Sequence, residues 1–295
     1  MKNGVVIINK ESGLSSQAVV NRVKRLFGVE KAGHTGTLDP MATGVLPVLV
    51  GRAVKASEFM LTEDKHYVAT LRLGMTTDTE DVTGEVLSVD PRVPSEEEVL
   101  AAVASFVGEY LQTPPMYSAL KVGGKKLYEL ARRGEVIERE ARPVTIYSLD
   151  VAKIDGKNYK LDVHCSKGTY IRTLCADIGK KIGVGGVMAS LLRSEAAGYT
   201  LSDACTLGEL DAMSEAERES KIFPTEHIFR ELPKVTLSDF FSRLAHSGLE
   251  IYQRKIGTDF DTGTRVAFFD KNGFFAVGEV RDYEGGLAIK PIRQF

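Results

Sequence analysis

The 295-residue chain carries 38 lysines and arginines against 40 aspartates and glutamates, a formal net charge of −2, with 43% hydrophobic and 26% charged residues. That is the balance of a globular protein large enough for one large and one small domain, and it excludes a uniformly basic nucleic-acid binder, so any such face must be local. No apolar run approaches ~18 residues and no leader-like segment follows the first methionine, which predicts a cytoplasmic protein without membrane contact. Cys165, Cys175 and Cys205 form no CxxC pair and the five histidines no HxxxH spacing, so neither disulfides nor a metal site is expected.

In chain order, GVVIINK (residues 4–10) reads as a strand. Ser15 or Ser16 then caps a helix whose Val19, Val20, Val23, Leu26 and Phe27 keep a helical period up to Gly28. A loop rich in Gly and Thr covers residues 33–44, followed by a buried strand at 45–50, a short helix near 54–61, and an alternating strand at 67–73. Ser95 and Glu98 form a capping box for a helix ending near Gly108. Residues 114–142 are rich in Gly, Lys and Arg, with a short helix near 127–133. Strands are expected at 144–154 and 159–165, a helix from about Tyr170 to Ile182 closed by Gly183, and two short helices started by Thr206 and Ser214. After a break at 223–234, short strands at 265–270, 274–280 and 287–291 make a small β-rich end.

The segment GHTGTLDPMATGVLPVLVGRAVK (residues 33–55) concentrates the chemistry. Its glycines allow close backbone approach, and Pro40 stiffens the chain beside Asp39, so a rigid loop presents one carboxylate. It lacks the GK[ST] ending of a phosphate-binding loop. On spacing alone, a tight turn in which Asp39 caps a backbone N–H fits as well.

GHTGTLDP…ATG…LP…G resembles the signature of the bacterial tRNA pseudouridine-55 synthases, the TruB family. So do KHYVATLRLGMTTDTEDVTGE (65–85), TPPMYSALKVGGKKLYELARRG (113–134), CSKGTYIRTLCADIG (165–179) and SLLRS (190–194). The resemblance runs in order over roughly residues 4–230; the last sixty residues are loosely similar to a PUA-type RNA-binding domain. It implies a mixed α/β (α+β) catalytic domain over 1–230 on a central, largely antiparallel sheet, with an RNA-contacting insertion at about 113–142 and a PUA-like domain over 236–295.

It further implies isomerisation of a T-arm uridine of tRNA to pseudouridine, with Asp39 as the catalytic carboxylate, Arg172 as its ion-pair partner and Tyr67 against the base. Tyr170 would meet the base or Arg172, Leu191 would cover the flipped base, and His34 would help fill the space the base leaves. Lys55 would contact phosphate or serve the structure. Lys121, Lys125, Lys126, Arg132 and Arg133 would meet the RNA backbone. Substrate and product are isomers, so no cofactor is implied, and the family pattern implies a monomer without obligate protein partner or guide RNA. The competing readings are a tRNA-binding module that has lost its chemistry, disfavoured by the presence of both Asp39 and Arg172, and a guide-RNA-dependent relative, disfavoured by the lack of a long N-terminal extension or Lys-rich tail.

Overall fold

A computed structural model describes residues 2–61, 63–118, 120–131 and 133–295. Strand β1 (Gly4–Lys10) enters the core and leads to helix α1 (Ser16–Phe27). Ser15 is the cap, its hydroxyl accepting from the Ala18 N–H, and Gly28 closes the helix in the left-handed region at φ 60°. Then come β2 (Ala32–His34), β3 (Thr43–Val50), a 3-10 turn and helix α2 (Ser57–Met60), β4 (Lys65–Leu73), and a hairpin of β5 (Met75–Thr77) with β6 (Val86–Val89). Helix α3 (Glu96–Ala104) has the expected Ser95–Glu98 box. It is followed by β7 (Gly108–Gln112), the small β8 (Lys121–Val122) and β9 (Lys125–Lys126), α4 (Leu127–Ala131), β10 (Arg142–Asp155), β11 (Asn158–Cys165), α5 (Ile171–Ile182), β12 (Gly186–Ala196) and β13 (Tyr199–Thr200). Helices α6 (Leu207–Ala212) and α7 (Glu215–Ser220) carry the Thr206 and Ser214 capping boxes.

The main sheet runs β14-β1-β3-β12-β4-β11-β10-β7, where β14 is Phe223–Pro224; β2 pairs with β3, and β13 with β12. All its pairings are antiparallel except the short β12–β3 one, so the expected largely antiparallel sheet is present. Strand alternation sorts the faces. Tyr67, Ala69 and Leu71 of β4 and Leu161 and Val163 of β11 turn toward α1, α3 and α5. On the other face Val5, Ile7, Val45 and Leu49 pack with Met60 and Tyr199.

Residues 234–294 form a second, five-stranded sheet with its own apolar core around Val266, Phe268, Val280 and Ile289, the PUA-like fold expected from the sequence. Its strands are β15 (Lys234–Thr236), β16 (Ile251–Tyr252), β17 (Arg265–Asp270), β18 (Gly273–Tyr283) and β19 (Gly286–Gln294), with helices α8 (Asp239–His246) and α9 (Gln253–Ile256). Phe229, Ala267 and Val277, with Phe59, Phe274 and Phe295 against them, join it to the larger body.

Several elements were not expected, among them the β5–β6 hairpin, β7 and β15. The SLLRS stretch had no assigned element and lies in β12, the strand between β3 and β4 on which the whole sheet is centred. The helix α8, with Ser242 and Ala245 buried, went unread because its FFSRLAH pattern is too short to stand out from the loop around it.

Candidate active site

The loop between β2 and β3 is pinned from several sides. The Ser16 hydroxyl, buried at the start of α1, donates to the Leu38 carbonyl at 2.9 Å and accepts from the Leu38 N–H at 2.8 Å. The Lys10 ammonium, 1% exposed, donates to the carbonyls of Glu11, Pro40 and Ala42 at 3.0, 3.0 and 2.6 Å, so all three of its protons are used. The Ala42 N–H closes a turn on the Asp39 carbonyl at 3.0 Å, with Pro40 at the position its fixed φ suits. Asp39 thereby projects from a backbone with little freedom into a cleft of about 710 Å³ lined by Tyr67, Tyr170, Leu191, Arg172 and Lys65 among others.

Arg172, in the first turn of α5, meets Asp39 side-on: Nε to Oδ2 is 2.9 Å and Nη2 to Oδ1 is 3.4 Å. The guanidinium is nearly buried and otherwise donates to the carbonyls of Thr79 at 3.1 Å and Tyr117 at 2.7 Å. Behind it, Asp81 Oδ2 stands 3.9 Å from Nη1, while Asp81 Oδ1 accepts from the Thr79 and Thr83 hydroxyls and the Thr83 N–H at 2.8, 2.6 and 2.9 Å. Arg172 is thus a rigid fork seated between two carboxylates, a geometry that a lysine cannot reproduce.

Burial lifts the Asp39 carboxyl above its ordinary pKa; Arg172 works against that and Asp81 with it. Burial also pushes the Lys10 amine down to about 8, with the Asp39 charge opposing. The Tyr67 phenol is raised by burial and drawn back by Arg193.

Of the residues singled out from the sequence, Asp39, Arg172, Tyr67, Tyr170 and Leu191 are gathered around the one cleft. The Tyr170 backbone is clamped by the Gln112 amide, which accepts from its N–H at 2.8 Å and donates to its carbonyl at 3.1 Å. His34 does not join them. It is half-buried on β2, feels the Arg193 charge, and its Nδ1 finds no hydrogen-bond partner among the described residues.

Lys55 is also elsewhere: its exposed ammonium donates to the Gln294 carbonyl at 3.1 Å, fastening the end of β19 to the larger body. Lys125 and Arg133 are exposed on the insertion. Arg132, and the side chains of Lys121 and Lys126, lie outside the described residues.

Three contributors escaped the sequence reading: Lys10, Asp81 and Arg193. Each had a visible signal. Lys10 is the one charge at the end of an apolar strand, Asp81 stands among the threonines of TTDTEDVTG, and Arg193 is the one charge in SLLRS.

The family model described as TruB family pseudouridylate synthase (N terminal domain) matches residues 24–171, which span Asp39, Tyr67 and Tyr170. The chain belongs to the TruB pseudouridylate synthase family. A second model of that family, the tRNA pseudouridylate synthase B C-terminal domain, matches residues 172–231, which begin at the arginine paired with Asp39 and include the central strand β12. A tRNA pseudouridine synthase B of Neisseria meningitidis serogroup B is 42% identical over 273 residues, covering 92% of this chain and 88% of the relative. That of Alkaliphilus oremlandii is 43% identical over 285 residues, covering 95% and 94%. Among solved structures, a chain of a Cbf5–Nop10–Gar1 complex superposes with a TM-score of 0.74 at 27% identity, covering 99% of this TruB-family chain and 85% of the other. A chain of an H/ACA RNP bound to a substrate RNA containing 2′-deoxyuridine gives a TM-score of 0.74 at 25% identity.

Proposed function

We propose that this chain isomerises a T-arm uridine of tRNA, at position 55, to pseudouridine, with Asp39 as its catalytic carboxylate. The observation that carries the reading is the Asp39–Arg172 fork at the base of a cleft walled by Tyr67, Tyr170 and Leu191. The reaction breaks the N1–C1′ bond and joins C5 to C1′; the proton leaving C5 balances the one gained at N1. Whether the carboxylate adds at C1′ or takes a proton from C2′, it must be ionised and aimed at the ribose, and the Arg172 fork supplies both conditions. A base inside a folded RNA arm must first be extruded to reach Asp39. Leu191 and Tyr67 then form the apolar and aromatic walls against which it lies, with Tyr170 on the rim.

The insertion at 113–142 meets the RNA backbone through Lys121, Lys125, Lys126, Arg132 and Arg133, and residues 236–295 add an RNA-binding surface outside the catalytic domain 1–230. The enzyme works in the cytoplasm as a monomer, without guide RNA, protein partner or cofactor. Purified protein is incubated with unmodified tRNA alone and pseudouridine is mapped chemically. Conversion at the T-arm uridine is expected; conversion only elsewhere, or only when a guide RNA is added, overturns the reading.

A further inference from the structure

Arg193 is the largest of the fully buried side chains, 1% exposed. A guanidinium keeps its charge at any ordinary pH, and burying one without an acidic partner is costly. Among the described residues no carboxylate lies within 4.0 Å of it. Its neighbours add to the cost: Lys10, Lys65 and His34 all feel its charge and are pushed by it toward their neutral forms. An apolar side chain of similar volume would fill this space more cheaply.

What an apolar side chain lacks is direction. On β12, Arg193 stands opposite Gly44 of β3 on one side and Tyr67 of β4 on the other. Its Nε donates to the Val45 carbonyl at 2.8 Å and its Nη2 to the Gly36 carbonyl at 3.2 Å. The guanidinium charge also bears on the Tyr67 phenol, drawing it back from the rise that burial gives it. One planar group therefore ties both ends of the segment carrying Asp39 to the strand that pairs with Tyr67.

We propose that Arg193 is a positioning residue for the isomerisation, its guanidinium locking the Gly36–Val45 loop to β12, the strand that also pairs with Tyr67, so that Asp39 keeps one geometry in the cleft. The inference rests on the reading of the cleft given above, and its test compares variants on an RNA that the wild-type protein is first seen to convert. Absence of wild-type conversion is a failure of that reading; a difference between variants tests Arg193.

Single-turnover conversion of a T-arm RNA is measured at saturating enzyme, alongside RNA affinity and thermal unfolding, for Arg193→Lys and Arg193→Met. Arg193→Met removes the buried charge at similar volume, so a folded protein is expected even where the lysine is badly accommodated. Misplacing reacting groups by about 1 Å costs about 10²-fold in rate. Folded Arg193→Met and Arg193→Lys are therefore expected to convert RNA about 10²-fold more slowly, with affinity within about 3-fold of wild type. A folded Arg193→Met protein of near wild-type rate overturns the proposal. So does a folded variant whose RNA affinity falls as far as its rate, which would make Arg193 a binding residue and not a positioning one.

Discussion

Asp39 keeps about a third of its side-chain surface open to the cleft, yet burial raises its pKa and the Arg172 fork restrains that rise. The carboxylate is the working form, so the single-turnover rate should fall as pH falls through this raised value. Arg172→Met removes the restraint, and the acid limb of the rate profile should move to higher pH; an unmoved limb in a folded variant would assign it to another group. Asp39→Asn keeps the shape and removes the charge. Conversion should be lost while tRNA affinity, which rests on phosphates and shape, stays within about 3-fold of wild type in filter binding. Lys10 works one step further back. Lys10→Met leaves the Pro40 and Ala42 carbonyls without their buried donor, which should cost about 1–3 kcal/mol of stability in urea unfolding and slow conversion through a looser Asp39 loop.

Strand β12 shows what an element does for the site that no single side chain does. Its parallel contact with β3 is only two residue pairs long, at Leu192–Thr43 and Arg193–Gly44. Gly44 has φ 101°, and a Cβ there would overlap the Arg193 carbonyl. Gly44→Ala is therefore expected to cost about 3 kcal/mol or more, read from the urea midpoint, and to separate the Asp39 loop from Arg193 and Leu191. The strands with plain alternation, β4 and β11, and the helices with caps, α1, α3 and α5, were legible in the sequence because one face of each is apolar, and β1 was legible as a short continuous apolar run buried on both faces. β12 was not, because GVMASLLRSEA is covered on both faces over part of its length and so loses the period-two pattern. Asp39, Arg172, Tyr67, Tyr170 and Leu191 were legible through the family pattern. Lys10, Asp81 and Arg193 act through backbone carbonyls and second charges, contacts between distant segments that local pattern does not record.

At the scale of the molecule, the two bodies meet through an aromatic seam in which Phe229 touches Phe59, Phe274 and Phe295 at centroid distances of 5.2–5.4 Å. Phe229→Ala should cost about 3–5 kcal/mol in unfolding. If residues 236–295 hold RNA beyond the T-arm, it should also weaken binding of whole tRNA while sparing a T-arm hairpin; equal weakening of both would remove that role. Since the product is an isomer of the substrate, exhaustive chelation should leave single-turnover conversion of a prefolded T-arm RNA unchanged, and a loss restored by one added transition metal would count against the chemistry. The order of strands in the sheet also has a meaning in time. β12 fits between β3 and β4 but begins roughly a hundred residues after β4 ends, a wait of about 6–20 s at ordinary rates of synthesis. Throughout that interval the facing edges of β3 and β4 have no partner, and the loop bearing Asp39 lacks Arg193 to hold it and, until shortly before β12 begins, Arg172 as well. A ribosome carrying this chain therefore carries no part-built enzyme: protease resistance of the first two hundred residues should arise in one step, in nascent chains arrested after β12 has emerged and not in those arrested before it.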